Sequence, residues 1–278
     1  ILKFVLFADD TNIFCTGDNL DQLVVDINLE LRHLKVWFDI NKLSLNLVKT
    51  KFILFGNCKS KTNVHILIDN KTVERVKEIK FLGVMIDDRI CWKPHIKYIQ
   101  TKISRSIAVL SKAKHFLNYA ALYILYCSLI LPYLSYCVDI WGNTYKTSLR
   151  PLCTLQKRAI RMIHKAGFHD HTNILFIKSC LLKLPDLVEF QTAQLMYKAR
   201  NKQLPDNIQK LFTDREGGYD FRENLNFRIL RVRTTMKRKC LSVCGVKVWN
   251  KLQKELKQCP SMSLFKKRLK LMFFNRYC

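Results

Sequence analysis

Two adjacent carboxylates, Asp9 and Asp10, stand between two short apolar runs near the start of the chain. Residues 2–8 and 11–16 favour β-structure, so the pattern predicts a hairpin with both aspartates at its turn. Carboxylate oxygens at a tight turn can hold Mg²⁺, and two such ions about 4 Å apart can promote phosphoryl transfer. Aspartate is also a favoured turn residue for local reasons, so the pair alone leaves a structural role open.

The elements that would position this hairpin follow it directly. Leu20 and the apolar residues after it recur at helical spacing, which predicts a helix to about Phe38, with Asp18 or Asn19 as its cap. The rest of the first 90 residues predicts an α+β fold with a hairpin-rich antiparallel sheet. Its strands are expected at 51–55, 64–68, 72–76 and 79–86, with a turn at Asp69–Asn70.

From Trp92 onward the pattern becomes mainly helical. Pro94 suits the first turn of a helix, and five apolar residues mark one face of it: Ile96, Ile99, Ile103, Ile107 and Leu110. The uncharged stretch 116–138 is long enough to cross a membrane, but its proline, asparagine, serines and tyrosines favour a buried helix pair broken near Pro132.

The net charge of the chain indicates what kind of partner it binds. Lysine and arginine total 48 against 22 aspartate and glutamate, giving a formal charge of +26, and residues 151–278 carry most of the excess. Such a charge favours a polyanion, with nucleic acid before an anionic membrane; a merely soluble basic surface is the plain alternative.

The 11 cysteines show no repeated spacing, which favours reduced thiols in an intracellular protein over disulfides. Cys240, Cys244 and Cys259 do not form the paired pattern of a zinc site. The first residues lack the form of a signal peptide, so secretion is not expected.

Six stretches, taken in order, carry a family resemblance. Phe7-Ala8-Asp9-Asp10 resembles the aromatic-Ala-Asp-Asp motif of reverse transcriptases, in the form common among non-LTR (LINE-type) retrotransposons. The segment 45–55 resembles the Asn…Lys-Thr-Lys strand of those enzymes, and 80–96 resembles the primer-grip strand and its exit into the thumb. Near the carboxyl end, 233–234, 245–250 and 263–266 resemble the tail of the same reading frames.

The resemblance covers nearly the whole chain and implies three regions. Residues 1–90 would be the C-terminal part of the palm, 91–150 a helical thumb, and 151–278 a basic helical C-terminal region. The implied activity is RNA-directed DNA synthesis with Mg²⁺ on an RNA template and a DNA primer, using dNTP, in a ribonucleoprotein of the nucleus or cytoplasm.

Roles are implied residue by residue. Asp9 would be the main metal ligand and Asp10 its companion, and Lys49 would donate a proton to, or pair with, the leaving pyrophosphate. Phe7 would pack near the primer end, and Leu82–Gly83 would present backbone to the primer. Nucleic-acid phosphates would bind the basic residues of the thumb and the C-terminal region, namely Lys97, Lys102, Arg105, Lys112, Arg231, Arg233, Lys237 and Arg238.

The family's polymerases carry a further catalytic aspartate on an earlier strand, and the eight residues before Asp9 hold no such strand. We therefore expect a fragment lacking the fingers and the first half of the palm, inactive as a polymerase by itself. Two alternatives stay open: a non-catalytic nucleic-acid-binding remnant, and a membrane-associated basic protein using 116–138.

Overall fold

The computed structural model describes residues 2–8, 10–56, 64–214 and 225–277. The chain divides into two compact units, residues 1–89 and 90–278, and each has its own hydrophobic core. The division at residue 150 that the sequence predicts lies inside a helix, Lys146–Ile163, whose buried face belongs to one core shared by residues on both sides.

The described strands of the first unit pair two by two. Three pairs are antiparallel hairpins, and the fourth pair, β3 with β6, is parallel. The described strands thus form four two-stranded ladders, and their place in a palm-type sheet stays a prediction. The elements are β1 Lys3–Phe7, β2 Asp10–Phe14, α1 Leu20–Ile40, β3 Lys51–Phe52, β4 Leu67–Ile68, β5 Lys71–Thr72, β6 Glu74–Arg75, β7 Glu78–Phe81 and β8 Val84–Asp87.

Helix α1 confirms the predicted amphipathic helix and its cap. The Asn19 side-chain oxygen accepts a hydrogen bond from the Asp21 amide at 2.9 Å, which satisfies one amide of the first turn. Leu31 on its inner face packs with Ile66, Ile68 and Val73 to form the small core of this unit. The predicted turn at Asp69–Asn70 is also confirmed, since both residues have positive φ, as a two-residue hairpin turn requires.

The prediction of a single strand over 79–86 is wrong. Leu82 and Gly83 have φ of 43° and 86°, so the chain reverses there and β7 pairs with β8. Two consecutive positive φ angles are the signature of a tight hairpin turn, and glycine at the second position lowers its cost.

The second unit is helical. Its elements are α2 Lys93–Ala113, α3 Tyr119–Leu129, α4 Leu131–Ser135, α5 Val138–Trp141, α6 Lys146–Ile163, α7 Thr172–Lys178, α8 Leu184–Arg200, α9 Asp206–Gln209, α10 Thr235–Lys239, α11 Leu241–Asn250, α12 Lys254–Lys257 and α13 Met262–Asn275.

The predicted inner face of α2 is confirmed, because all five of its apolar residues are buried. The predicted helix break is confirmed too: α3 ends at Leu129 and α4 begins with Pro132 in its first turn. In the described parts of the chain, the structure contains no helix with the length and apolar character needed to span a bilayer.

A buried amide fixes α6 against the start of α8. The Gln156 side chain donates to Tyr126 Oη at 3.2 Å and to the Leu182 carbonyl at 3.0 Å, and its oxygen accepts from the Leu184 amide at 2.8 Å. These bonds satisfy polar groups that would otherwise lie unpaired in the core, so they fix the position of α6 along its axis.

Candidate nucleic-acid interface and carboxylate hairpin

The β1–β2 hairpin confirms the first predicted element as far as it is described. Phe7 pairs with Asp10 in the last register position, and Ala8 has a φ of 51°, in the left-handed region that tight turns use. The Asp10 side chain is exposed, and Phe7 is 59% exposed. Asp9, the predicted main ligand, lies outside the described residues, so the geometry of the pair stays a prediction.

The donor chemistry of Asp10 suits a hard cation, since Mg²⁺ prefers carboxylate oxygens. One carboxylate does not make a metal site, however. Among the residues that the structure describes, no three histidine, cysteine, aspartate or glutamate side chains are arranged to hold a metal ion.

Lys49 lies in a turn just before β3. Its amide donates to the Asn46 carbonyl at 3.1 Å and to the Asn46 side-chain oxygen at 3.2 Å, which fixes the local backbone. The Lys49 side chain is exposed, and among the described contacts none joins it to Asp10. Its role at leaving pyrophosphate stays a prediction.

The β7–β8 turn presents Leu82 half-buried and Gly83 exposed. The turn geometry gives Gly83 a local reason to be glycine, independent of any primer. The predicted contact of this backbone with a primer therefore stays a prediction.

The charged side chains of α2 are all basic. The helix contains no aspartate or glutamate, and Lys97, Arg105 and Lys112 are exposed, while Lys102 is half-buried with its ammonium 5.6 Å from the Tyr98 ring centroid. His95 near the start of the helix is 2% exposed, and burial lowers its pKa to about 4. It is therefore neutral at pH 7, and the charge of α2 comes from its lysines and arginine.

Helix α6 is a second acid-free basic helix, and it was not predicted from the sequence. Its buried face is formed by Leu149, Leu152, Gln156 and the apolar residues of the next two turns. The signal was present, because 18 consecutive residues carry no acid and their cations avoid that face. Those cations are Lys146, Arg150, Lys157 and Arg158, all exposed, and Arg161, half-buried.

The helices α2 and α6 run side by side in the same direction. At their beginnings, Thr144 Oγ1 donates to the Cys91 carbonyl at 3.3 Å. Near their ends, the rings of Tyr119 and His164 lie 5.0 Å apart. At 1.5 Å per residue the helices are about 31 and about 27 Å long, so their outer sides span several phosphates of a nucleic-acid strand.

No ion pair among the described residues neutralises the ten lysines and arginines of α2 and α6. A cation without an acidic neighbour interacts with solvent anions, or with the phosphates of a polyanion that displaces them. The two helices therefore offer an uncompensated positive surface.

The predicted C-terminal cations lie on α10 and on the segment before it. Arg231 and Arg233 are exposed on the segment before α10, and Lys237 and Arg238 are exposed on α10 itself. The neighbouring Lys239 places its ammonium 2.7 Å from the centroid of the Tyr145 ring, which directly precedes α6. The structure thus brings the end of α10 next to the start of α6.

Comparison with known proteins gives a distant relationship. The chain is 22% identical over 170 residues to the RNA-directed DNA polymerase from mobile element jockey of Drosophila melanogaster, covering 60% of this chain and 18% of that protein. It is 23% identical over 185 residues to the protein of the same name from Drosophila funebris, covering 65% of this chain and 20% of that one. The chain thus spans about a fifth of the length of these curated relatives. No protein-family model matches it, and no solved structure matches it significantly.

Proposed function

We propose that this chain is part of an RNA-directed DNA polymerase of a non-LTR retrotransposon, and that its helical unit holds the template and primer by their phosphates. The paired acid-free helices α2 and α6 are the observation that carries the proposal. The distant similarity to the jockey polymerases supports the enzyme class. Residues 1–90 resemble a palm and the following helices resemble a thumb. This resemblance supports the binding role given to the helical unit.

Phosphate contacts suit a polymerase because they carry no sequence information, and an enzyme that copies any template must move along it. Exposed lysines and arginines on rigid helices give such contacts without fixing a register. The α10 cations extend the same surface beside the start of α6.

The catalytic part of the proposal rests on the β1–β2 hairpin. Asp9 and Asp10 would supply carboxylate oxygens to Mg²⁺, and Lys49 would offset charge on the leaving pyrophosphate. Bound Mg²⁺ would activate the attacking hydroxyl and stabilise the departing phosphate oxygen. Phe7, Leu82 and Gly83 would position the primer end.

The binding claim is tested by removing charge from α6 alone. We expect the triple variant Arg150→Gln/Lys157→Gln/Arg158→Gln to bind a labelled RNA–DNA heteroduplex at least about tenfold more weakly than wild type in low salt. The matched control Lys198→Gln/Lys210→Gln/Lys251→Gln removes the same charge from exposed positions outside both helices and should stay within about twofold. If both variants lost the same affinity for the heteroduplex, the loss would depend only on net charge. That result would contradict the claim that α6 binds the phosphates.

The catalytic claim is tested by primer extension. A two-metal site needs more carboxylate ligands than Asp9 and Asp10 supply, so we expect no extension of a primed RNA by the purified chain with Mg²⁺ and dNTP. The variant Asp9→Asn should bind heteroduplex as wild type does. Robust extension that Asp9→Asn abolishes would show that the chain completes a two-metal site unaided. A loss of heteroduplex binding in Asp9→Asn would contradict the separate roles of hairpin and helices.

A further inference from the structure

Two phenylalanines are the most exposed large apolar side chains in the described part of residues 90–278. Phe116 is 89% exposed and follows α2, and Phe168 is 81% exposed and follows α6. A phenylalanine ring left this far in water gains none of the free energy that burial would give it. Each therefore has an apolar face free for a flat partner.

The two loops that carry these rings lie at the same end of the helical unit. Phe116 is three residues before Tyr119, Phe168 is four residues after His164, and the rings of Tyr119 and His164 are 5.0 Å apart. The His164 Nε2 atom and the buried Ser179 Oγ are 2.6 Å apart, which anchors that contact in the core. The loops are thus held together by packed side chains, and we call residues 114–118 and 164–171 the aromatic loops.

The surroundings of the aromatic loops are positively charged. Lys112 lies in the last turn of α2, and Lys114 and Lys165 lie in the loops. Burial lowers the pKa of His164, and the nearby charge of Lys178 lowers it further. Asp170 is the acid within these loops, and its carboxylate accepts a hydrogen bond from the Gly167 amide at 2.7 Å. Exposed rings among cations fit a ligand that is both flat and anionic.

We infer that Phe116 and Phe168 stack on the bases of a single-stranded nucleic acid, whose phosphates pair with the lysines around the aromatic loops. The inference rests on the proposed function in taking the chain as nucleic-acid-binding, and it adds a site for the unpaired strand. Bases stack on aromatic side chains regardless of sequence, and lysines track the backbone between them. In a duplex the bases already stack on one another, so their faces are closed to a side chain.

The test compares a single-stranded oligonucleotide with an RNA–DNA heteroduplex. We expect Phe116→Ala/Phe168→Ala to weaken single-strand binding by about tenfold or more and to leave heteroduplex binding unchanged. The ring-preserving variant Phe116→Tyr/Phe168→Tyr should bind both as wild type does. The control Ile140→Ala/Leu271→Ala removes two exposed apolar side chains outside the aromatic loops, 50% and 54% exposed, and should change neither.

A second readout does not depend on affinity. Tryptophan at position 168, introduced as Phe168→Trp, should lose fluorescence when the oligonucleotide binds, because base stacking quenches an indole. Three results would overturn the inference: unchanged single-strand binding by the alanine pair, an equal loss for both nucleic acids, or loss only of binding to vesicles of anionic lipid. Failure of heteroduplex binding in every variant and in wild type would instead contradict the proposed function.

Discussion

The imidazole of His95 lies edge-on against the indole of Trp141, with ring centroids 5.4 Å apart and an interplanar angle of 73°. Both side chains are buried, and a third ring, that of Tyr98, stacks on His95 with its centroid 6.4 Å away. A charged imidazole there would lose its hydration, so burial lowers its pKa to about 4.

This burial predicts a loss of stability in acid. The folded-state pKa is lower than the unfolded value of about 6.5, so the unfolded chain binds the extra proton first. The contribution of neutral His95 to the free energy of unfolding is fully present above about pH 6.5. It is lost as the pH falls toward about 4. Between about pH 7.5 and about pH 5 we expect the free energy of unfolding to fall by about 2 kcal/mol from this residue.

Urea unfolding at the two pH values measures that loss. The variant His95→Gln cannot gain the proton, so its pH dependence should be smaller than that of wild type by this amount. Identical pH dependence in the two proteins would contradict the neutral buried state of His95.

The end of α13 is held to the start of α8 by a tyrosine. Tyr277 Oη donates to Asp186 Oδ2 at 2.6 Å and accepts from the Lys183 amide at 2.9 Å. We expect Tyr277→Phe to lower the free energy of unfolding by about 2 kcal/mol, because it removes a charge-assisted bond and leaves an amide unpaired. Denaturant unfolding of wild type and variant measures this difference in the free energy of unfolding.

Tyr119→Phe is the matched control for this variant. Its hydroxyl makes a longer bond, 3.4 Å to Ser179 Oγ, and the side chain is 43% exposed. Its loss should cost less than about 0.5 kcal/mol. If both variants lost the same free energy of unfolding, the hydrogen bonds of Tyr277 would contribute no more to stability than that of Tyr119.

Gly142 lies where α5 ends against α8. A methyl group there would stand 2.4 Å from the Val138 carbonyl oxygen and 2.5 Å from Val188 Cγ2. We expect Gly142→Ala to destabilise the helical unit by about 2–3 kcal/mol, since backbone and a packed side chain must both move. In Gly167→Ala the atom closest to the new methyl group is the Asp170 carboxylate oxygen at 3.3 Å. We therefore expect the midpoint temperature of unfolding to fall much less than in Gly142→Ala. A larger shift for Gly167→Ala would contradict this packing.

The sequence predicted those elements whose signal is local. The inner face of α2 follows from five apolar residues at helical spacing, and the α3–α4 break follows from Pro132. The cap at Asn19 and the turn at Asp69–Asn70 also depend only on neighbouring residues.

The sequence did not predict features that depend on distant partners. Strand β3 was expected over 51–55 but ends at Phe52, because its parallel partner β6 pairs only at Glu74 and Arg75. A mainly apolar run over 79–86 hid the turn at Leu82, a residue that seldom adopts positive φ.

The candidate site also combines features that the local sequence predicted with features that depend on distant contacts. The basic face of α2 was predicted from its own spacing, but its alignment with α6 depends on contacts such as Thr144 with Cys91, which no local pattern encodes. The contact of Lys239 with Tyr145 joins residues that are far apart in sequence. The aromatic loops depend on the meeting of Tyr119 with His164, which only the folded unit shows.

The most direct test of the account is the salt dependence of heteroduplex binding by the purified chain. If five cations of α2 and α6 contact phosphates, the logarithm of the association constant should fall against log salt with a slope of about −4.5. The variant Arg150→Gln/Lys157→Gln/Arg158→Gln should then show a slope shallower by about 2.7. Equal slopes for variant and wild type would contradict the claim that α6 holds the nucleic-acid backbone.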